Sequence, residues 1–378
     1  MTIPLTDISN PPATDRTLLW QVTRNENPTP DAEREAILAN PGFGQKFTDH
    51  MVDICWSEKG GWHRPRVSPY GPIELDPAAA VLHYAQEVFE GLKAYRHADG
   101  SIHTFRADQN AARLQRSARR LALPELPTEY FVDSIRRLVG VDGAWVPSAG
   151  ETSLYLRPFM FAKEAFLGVR AAKKVAYYLI ASPAGAYFAH GVQPVNIALA
   201  PNYSRAGKGG TGAAKTGGNY ASSLLPQAEA YEKGCEQVLY LDGEYLEELG
   251  GMNIVLVRRD GSLITPESDS ILEGITVKSI LELAADRGLG IEQRPVTITE
   301  WRAGAASGEI VGAFACGTAA VLVPIGRLVA DDFEIVHDGP EASELALSLR
   351  EELTDIQYGR REDRHGWLTR LDAETPAA

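Results

Sequence analysis

Three of the five Asp-Gly dipeptides in the sequence constrain the fold of this chain more than any other feature. They stand at Asp99-Gly100, Asp242-Gly243 and Asp260-Gly261, each between two short apolar runs. Asp-Gly supplies the backbone angles that a tight hairpin turn requires, so each dipeptide predicts a pair of antiparallel strands. Helical patterns are mixed with these hairpins and do not alternate regularly with strands. The sequence therefore predicts an α+β or mixed α/β fold and disfavours a doubly wound parallel sheet.

The chain is too long for one simple core. Its 378 residues suggest two domains of roughly 150–200 residues each. We predict a smaller N-terminal α/β domain over residues 1–182, of which 1–40 form an extended arm rich in Pro, Asp, Glu and Asn. Residues 183–194 contain several Gly and Pro breaks and no periodicity, so they are predicted to be an interdomain linker. Residues 195–378 then form a larger C-terminal domain.

Hydrophobic periodicity predicts several helices around the hairpins. A short helix is expected near residues 31–38, and longer ones are expected over 109–121, 129–141, 220–233 and 277–287. Asp108 and Asn219 stand where helix-capping residues are preferred, at the start of the second and fourth of these helices.

Charge and cysteine content restrict the function classes. A formal net charge of −13 argues against non-specific binding to nucleic acid and against attraction to anionic membranes. The cysteines Cys55, Cys235 and Cys316 are far apart in sequence, which favours reduced thiols, and Cys316 is expected to be buried and inert. No apolar run reaches the ~18–20 residues that span a bilayer, and the N-terminal residues lack a secretory pattern. We therefore expect a cytoplasmic protein.

Lys215 lies in the run Gly-Thr-Gly-Ala-Ala-Lys-Thr-Gly-Gly-Asn-Tyr at residues 210–220, and Glu247-Glu248 follow about thirty residues later. Small neighbours would let a coenzyme ring approach the lysine amine, so this pattern favours pyridoxal phosphate held as a Schiff base. Tyr220 could then bind the phenolic O3′ of the coenzyme, and Glu248 its pyridine nitrogen. Successive strand residues face opposite ways, so one of the two glutamates is expected to be buried with a cationic partner and the other solvated.

A phosphate group would need helix N-terminal amides and a cation. Gly274-Ile275-Thr276 immediately precedes a predicted helix, for which Thr276 is a plausible cap, and Gly317-Thr318-Ala319 is a second turn of small residues. Arg113, on the helix after the first hairpin, could supply the charge, although its residue type alone does not distinguish it from Arg116 or Arg119.

A nucleotide-binding P-loop is the alternative interpretation of the glycine-rich run. Residues 209–216 approximate that motif, but Ala214 replaces the glycine before the lysine. Gly217-Gly218 are also expected to break the helix that a P-loop lysine begins.

Several longer strings match one known family: Phe43-Gly44, 47–51, 83–86, 89–94, 155–158, 185–188, 215–220 and 248–253. On these strings, between about residues 43 and 367, the chain resembles the branched-chain amino acid aminotransferases, which are class IV, fold-type-IV enzymes that use pyridoxal phosphate. The resemblance implies a two-domain fold like that of D-amino acid aminotransferase. It also implies reversible transfer of an amino group between L-leucine, L-isoleucine or L-valine and 2-oxoglutarate, giving the branched-chain 2-oxo acid and L-glutamate. The strings at 89–91 and 155–158 favour this activity over that of a D-amino acid aminotransferase or an aminodeoxychorismate lyase.

The resemblance also implies roles for single residues toward the coenzyme, and it implies no metal. Lys215 would be the Schiff-base lysine and the base that moves the proton, Glu248 would bind the ring nitrogen, and Tyr220 would bind O3′. The phosphate would be bound by the following groups: Arg113, the amides of Ile275 and Thr276, and the turn at Thr318.

For the substrate, the resemblance implies an apolar pocket lined by Tyr84, Phe89, Tyr155 and Tyr187. Arg157 would recognise the carboxylate of the second substrate, and Thr318-Ala319 would bind the α-carboxylate. Phe43 and residues 167–169 would be donated by the partner subunit of a homodimer.

The chain departs from the family pattern at two places. Ala320 and Val323 occupy the positions of a redox CxxC that some members carry, so that thiol switch is expected to be absent. Gly251 replaces a threonine that assists substrate carboxylate binding in some members.

Overall fold

The computed structural model describes residues 19–186, 191–337 and 339–372. The contacts of the chain divide it into two compact units. The first unit extends to Gly185 and also includes Ala214–Thr216 and the residues from Gly366 onward, and the second unit holds the remainder. The chain therefore joins the first unit for three residues centred on Lys215, although the residues on either side belong to the second unit.

The strands and helices of the described residues follow one another along the chain. The strands are β1 (Gln21–Val22), β2 (His50–Ser57), β3 (Gly61–Pro69), β4 (Glu87–Phe89), β5 (Leu92–Arg96), β6 (Ile102–Phe105), β7 (Ser153–Ala162), β8 (Lys174–Ala184), β9 (Val195–Leu199), β10 (Gln237–Asp242), β11 (Tyr245–Leu249), β12 (Asn253–Arg258), β13 (Leu263–Pro266), β14 (Ile291–Arg294), β15 (Ile310–Gly317), β16 (Val321–Val329), β17 (Glu334–Val336) and β18 (Leu368–Arg370). The α-helices are α1 (Asp31–Ala39), α2 (Ala80–Tyr84), α3 (Ala107–Arg120), α4 (Thr128–Asp142), α5 (Gly217–Ala221), α6 (Leu224–Glu232), α7 (Ile275–Asp286), α8 (Ile298–Ser307) and α9 (Pro340–Gln357).

The first unit is built on one sheet with the strand order β1-β3-β2-β8-β7-β5-β6-β18, to which β4 adds by pairing with β7. The pair of β1 and β3 is parallel, and the other pairs are antiparallel. Strand β7 alternates, so Leu154 and Leu156 are buried in the core with α3 and α4. The intervening Tyr155 and Arg157 are only partly buried and point to the other face of the sheet.

The described part of the N-terminal arm is tied to the first unit. The main-chain N–H and the hydroxyl of Thr29 both donate to Asp49 Oδ1, at 2.8 and 2.7 Å. Trp145 Nε1 donates to Asp49 Oδ2 at 2.8 Å. Burial alone would raise the pKa of Asp49, but the hydrogen bonds from Thr29 and Trp145 outweigh it and hold that pKa below its ordinary value. The ionised Asp49 therefore anchors the residues just before α1.

The second unit is built on a separate sheet with the order β11-β10-β9-β16-β15-β12-β13-β14, and β17 pairs with β16. Strand β9 runs parallel to both of its neighbours, and β13 and β14 are also parallel. Helices α7, α8 and α9 pack on β15, and α6 packs on β10. The core of this unit includes the large side chains of Trp301, Leu256 and Ile325.

The structure confirms the mixed fold class and the hairpins predicted at the Asp-Gly turns. Strands β5 and β6, β10 and β11, and β12 and β13 pair antiparallel across them.

The domain boundary differs from the predicted one. Strand β8 continues to Ala184, inside the predicted linker, and residues 187–190 of that linker lie outside the described chain. The C-terminal β18 adds to the first sheet by pairing with β6, so those residues do not belong to the second unit.

Two helix starts were predicted wrongly. Helix α3 begins at Ala107 after Arg106, so Asp108 lies in the first turn and is not the cap. The predicted helix 220–233 is two helices, because Pro226 in the first turn of α6 cannot continue a helix through Ser222, whose carbonyl its ring would meet. The side chain of Asn219 does not cap either helix, since it exchanges hydrogen bonds with Thr211 at 2.7 and 2.8 Å.

The argument that Gly217-Gly218 prevent a helix after Lys215 was also wrong, because α5 begins at Gly217. The absent glycine at position 214 remains the observation that disfavours a P-loop. Within the described residues, no helix is both long and apolar enough to cross a membrane.

Candidate active site

The main chain of Lys215 is held by hydrogen bonds on both sides. Its N–H donates to Ser117 Oγ of α3 at 2.9 Å. Its carbonyl accepts from the N–H of Phe89, at the end of β4, at 3.0 Å. The side chain is partly buried, and its Nζ lies 4.8 Å from the centroid of the Phe89 ring. These contacts fix the position from which the lysine amine can act.

Phe89 belongs to an aromatic cluster, which we define as Phe43, Phe89 and Tyr155 with Arg157. The Arg157 guanidinium lies 5.0 Å from the Phe89 ring centroid and 5.4 Å from that of Tyr155. Arg157 Nη2 also donates to the Tyr155 hydroxyl at 3.2 Å. Four predicted substrate residues and Lys215 are thus brought together within the first unit.

Phe43 belongs to the aromatic cluster through its contact with Tyr155. Its ring packs edge-to-face on Tyr155 of the same chain, with centroids 5.1 Å apart. This contact lies within one chain, and the expectation that Phe43 is donated across a dimer interface stays a prediction.

Gly91 allows Tyr155 to approach. A Cβ at position 91 would lie 2.1 Å from the Tyr155 hydroxyl and 3.0 Å from Cζ. Any larger residue would therefore displace the tyrosine and its hydrogen bond to Arg157. This close approach explains in physical terms why glycine follows Phe89-Glu90 here.

Arg113 forms a buried ion pair with Glu90. Its Nε and Nη2 donate to the two carboxylate oxygens, both at 2.8 Å, and Asn110 Nδ2 donates to Oε2 at 2.8 Å. Glu90 is 0% exposed and Arg113 is 4% exposed. A buried pair with this fork geometry fixes the Phe89–Gly91 turn on α3.

Tyr84 contacts the predicted interface segment. Its hydroxyl donates to the carbonyl of Leu167, and Leu167 and Val169 are 67% and 88% exposed. Tyr187, the remaining residue predicted for the substrate pocket, lies outside the described residues.

In the second unit, Glu248 is a buried carboxylate with the cationic partner that the sequence required. Arg205 Nη2 lies 2.5 Å from Glu248 Oε1, and the side chains are 4% and 5% exposed. The same oxygen accepts from the N–H of Leu272 at 2.8 Å. Arg205 also donates to the carbonyls of Gly212 and Ser270, at 3.0 and 2.6 Å. Arg205 was missed in the sequence because an arginine in a loop carries no local pattern.

Glu247 corrects a prediction, because it is not solvated. It is 4% exposed and accepts from Ser268 at 2.9 Å and from Ser270 at 2.7 Å. Both glutamates are therefore buried, but Glu248 is paired with an arginine, whereas Glu247 accepts from serine hydroxyls.

Helix α7 begins just after the loop that binds Glu248. Its N-cap is Gly274, with no side-chain capping bond, so Thr276 is the second helical residue and not the cap. A Cβ at Gly274 would lie 1.9 Å from Asn253 Oδ1, so only glycine lets Asn253 reach this position. The first-turn amides, which include those of Ile275 and Thr276, lie at the positive end of the helix dipole.

The Thr318-Ala319 turn lies near the segment that follows Glu248. Strands β12 and β15 pair Asn253 with Cys316, and a Cβ at Gly317 would lie 3.1 Å from Met252 Cγ. A Cβ at Gly251 would lie 3.8 Å from Tyr220 Cε1, an ordinary contact distance. Val321 closes the turn with φ of 64°, a region that a β-branched residue rarely adopts. Backbone strain of this kind is concentrated at functional sites.

Cys316 fits its expected role as an inert thiol. It is fully buried, and burial raises its pKa far above the ordinary value. Among the described residues, no group of His, Cys, Asp and Glu is arranged to hold a metal ion.

We predict that Arg205→Met lowers the free energy of unfolding by about 3–5 kcal/mol, because Glu248 would stay buried without its cation. Denaturant unfolding measures this loss. The control is Arg258→Met, which breaks a half-exposed pair with Glu292 and should cost less than about 1 kcal/mol. Equal losses in the two variants would contradict the role given to Arg205.

Comparison with known proteins places these features in a family. The class IV amino-transferase family matches residues 87–328. A branched-chain-amino-acid aminotransferase of Mycobacterium tuberculosis (strain CDC 1551 / Oshkosh) is 57% identical over 368 residues, covering 95% of this chain and 100% of the relative. A probable branched-chain-amino-acid aminotransferase of Streptomyces coelicolor (strain ATCC BAA-471 / A3(2) / M145) is 52% identical, covering 91% and 96%.

Solved structures agree with the sequence relatives. A branched-chain amino acid aminotransferase of T.th., solved with pyridoxamine 5'-phosphate, is 27% identical with a TM-score of 0.68, covering 85% of this chain and 99% of that chain. A branched-chain aminotransferase of Thermoproteus uzoniensis with norvaline is 26% identical with a TM-score of 0.69 and the same coverage. The chain therefore belongs to the class IV aminotransferases and, within them, to the branched-chain-amino-acid aminotransferases.

Proposed function

We propose that this chain moves an amino group reversibly between L-leucine, L-isoleucine or L-valine and 2-oxoglutarate, with pyridoxal phosphate as coenzyme. The products are the branched-chain 2-oxo acid and L-glutamate. The observation that carries the proposal is the placement of Lys215 Nζ against Phe89, in one cluster with Arg157 and Tyr155. The names of relatives up to 57% identical support the substrate class.

The residues present fit a phosphorylated pyridine. A phosphate suits a helix N-terminus whose first-turn amides are not capped by a side chain, as at α7. A protonated ring nitrogen suits a buried carboxylate, and Glu248 is held ready by Arg205 and Leu272. A structural relative is solved with pyridoxamine 5'-phosphate.

Specific residues would hold each part of the coenzyme. Glu248 would bind the ring nitrogen and Tyr220 the O3′ oxygen. The phosphate would be bound by Arg113, the amides of Ile275 and Thr276, and Thr318. When bound, the coenzyme supplies an electron sink for the charge that develops at the substrate α-carbon.

Lys215 has two tasks in this proposal, which are covalent attachment of the coenzyme and proton transfer. Its Nζ takes the α-proton of the substrate and later returns a proton. The hydrogen bonds on both sides of its main chain limit where Nζ can move. A proton carrier held in this way does not have to be ordered during the reaction, which lowers the entropic part of the barrier.

The aromatic cluster would accept both kinds of side chain. A branched alkyl group can pack on Phe43 and Phe89, whereas a glutamate carboxylate can pair with Arg157 and the Tyr155 hydroxyl. Arg157 Nε is buried and has no hydrogen-bond partner among the described residues, which leaves the guanidinium incompletely satisfied and suited to an anion. Each buried methylene contributes only about 0.8 kcal/mol, so discrimination among leucine, isoleucine and valine should be weak. Tyr84 and Tyr187 remain proposed members of this pocket, and the Thr318-Ala319 turn remains proposed for the α-carboxylate.

We also propose that the chain acts as a homodimer in the cytoplasm. Leu167 and Val169 are exposed apolar residues beside Tyr84, which is typical of a surface that a partner covers. The three cysteines are unpaired, as expected in a reducing compartment.

We predict that Lys215→Ala lowers kcat for L-leucine and 2-oxoglutarate by more than about 1,000-fold, because the proton carrier is lost. The assay uses saturating coenzyme. Lys208→Ala is the matched control, since Lys208 is an exposed lysine just before the glycine-rich run and should keep wild-type turnover. Near-normal turnover of Lys215→Ala would refute the proposal.

We predict that Arg157→Met raises KM for 2-oxoglutarate about 10- to 100-fold, the loss expected for a charged hydrogen bond. KM for L-leucine should change less than about threefold, because an alkyl group does not need the charge. The control is Arg137→Met, which removes an arginine that lies over Trp20 on another part of the first unit. A parallel change of KM for both substrates would show that Arg157 does not discriminate between them.

A further inference from the structure

We infer that Ser117 is a positioning residue for Lys215. Its hydroxyl accepts the hydrogen bond of the Lys215 main-chain N–H and so fixes the direction in which the lysine side chain leaves the backbone. The inference rests on the proposed role of Lys215, and it concerns a residue that contacts the lysine main chain and not the reacting atoms.

The Lys215 segment, Ala214–Thr216, belongs to the first unit while its flanking residues belong to the second. Two hydrogen bonds of Lys215 itself attach the segment there. One runs from its N–H to Ser117 Oγ at 2.9 Å, and the other runs from the Phe89 N–H to its carbonyl at 3.0 Å. The Phe89 bond uses a main-chain donor that any residue but proline would supply. The Ser117 bond uses a side-chain acceptor, so it is the one of the two that depends on the residue type and that a substitution can remove.

Helix α3 aligns Ser117 with the residues that hold Phe89. Asn110, Arg113 and Ser117 are spaced to lie on one face of the helix, and they are 3%, 4% and 0% exposed. Asn110 and Arg113 bind the Glu90 carboxylate, and Glu90 is adjacent to Phe89. One helix face therefore fixes both the lysine main chain and the ring against which the lysine amine lies.

The hydrogen bond matters because the lysine side chain is long. A small rotation of the backbone at Lys215 is amplified at Nζ, four methylene groups away. A misplacement of about 1 Å at a reacting group can cost about 100-fold in rate. Removal of the Ser117 hydroxyl would leave the Lys215 N–H without this acceptor, and the segment would gain the freedom to rotate.

We expect Ser117→Ala to lower kcat about 10- to 100-fold, with KM for L-leucine and 2-oxoglutarate within about threefold of wild type. Amide hydrogen exchange of the full-length protein gives a readout that does not depend on turnover. Peptides covering residues 214–217 should exchange at least about tenfold faster in Ser117→Ala, because the protecting acceptor is gone.

The matched control is Ser134→Ala. Ser134 is also a helical serine of the first unit with 0% exposure, and its hydroxyl bonds to Phe131 and Tyr177 away from Lys215. This variant should lose comparable stability while keeping wild-type kcat and wild-type exchange at 214–217. If Ser117→Ala and Ser134→Ala change kcat and exchange equally, Ser117 has only a structural role and the inference is overturned.

Ser117→Cys provides a second variant of nearly the same volume, in which sulfur is a weaker acceptor. It should fold as the wild type does. Its kcat and its amide exchange at residues 214–217 should change in the same direction as in Ser117→Ala, but by less. If Ser117→Cys keeps wild-type kcat and wild-type amide exchange while Lys215→Ala is inactive, the inference about Ser117 is overturned and the proposed function stands. An active Lys215→Ala would instead remove the proposed function itself.

Discussion

The hydrogen bonds that hold the main chain of Lys215 are the constraint on which the rest of the site depends. They attach a three-residue segment to the first unit through Ser117 and Phe89. Phe89 is in turn fixed by Glu90, which is buried against Arg113. The lysine amine, the ring beneath it and the arginine proposed for phosphate are thus parts of one network. A disturbance at any member is expected to reach the others, since each buried polar group has its partner within the network.

Buried charges are used in both units to orient groups and not to add stability. The pairs Glu90–Arg113 and Glu248–Arg205 are each 5% exposed or less. Such pairs gain little net stability over apolar residues, because desolvation offsets their attraction. We propose a different task for their fixed geometry, which is to present a carboxylate or a guanidinium in one orientation toward a charged coenzyme. The two adjacent glutamates differ in this respect. Glu248 is paired with an arginine, whereas Glu247 accepts hydrogen bonds from serine hydroxyls.

Local patterns in the sequence were sufficient for the hairpins and for the requirement that a glutamate at 247–248 have a buried cationic partner. They were not sufficient for Arg205 or Ser117, because each acts on a residue about 40 to 100 positions away and looks locally like an ordinary loop or helix residue. The sequence analysis also did not predict that both glutamates are buried. Strand alternation predicts one buried and one exposed side chain, and it does not account for the loop whose serines cover Glu247.

Reduction with borohydride followed by peptide mapping tests the central claim most directly. In coenzyme-saturated protein, reduction should leave one stable pyridoxyl label, and mass spectrometry should find it on Lys215 in the peptide that contains residues 210–220. A label on any other lysine, such as Lys208, or no label in protein shown to contain the coenzyme, would contradict the account.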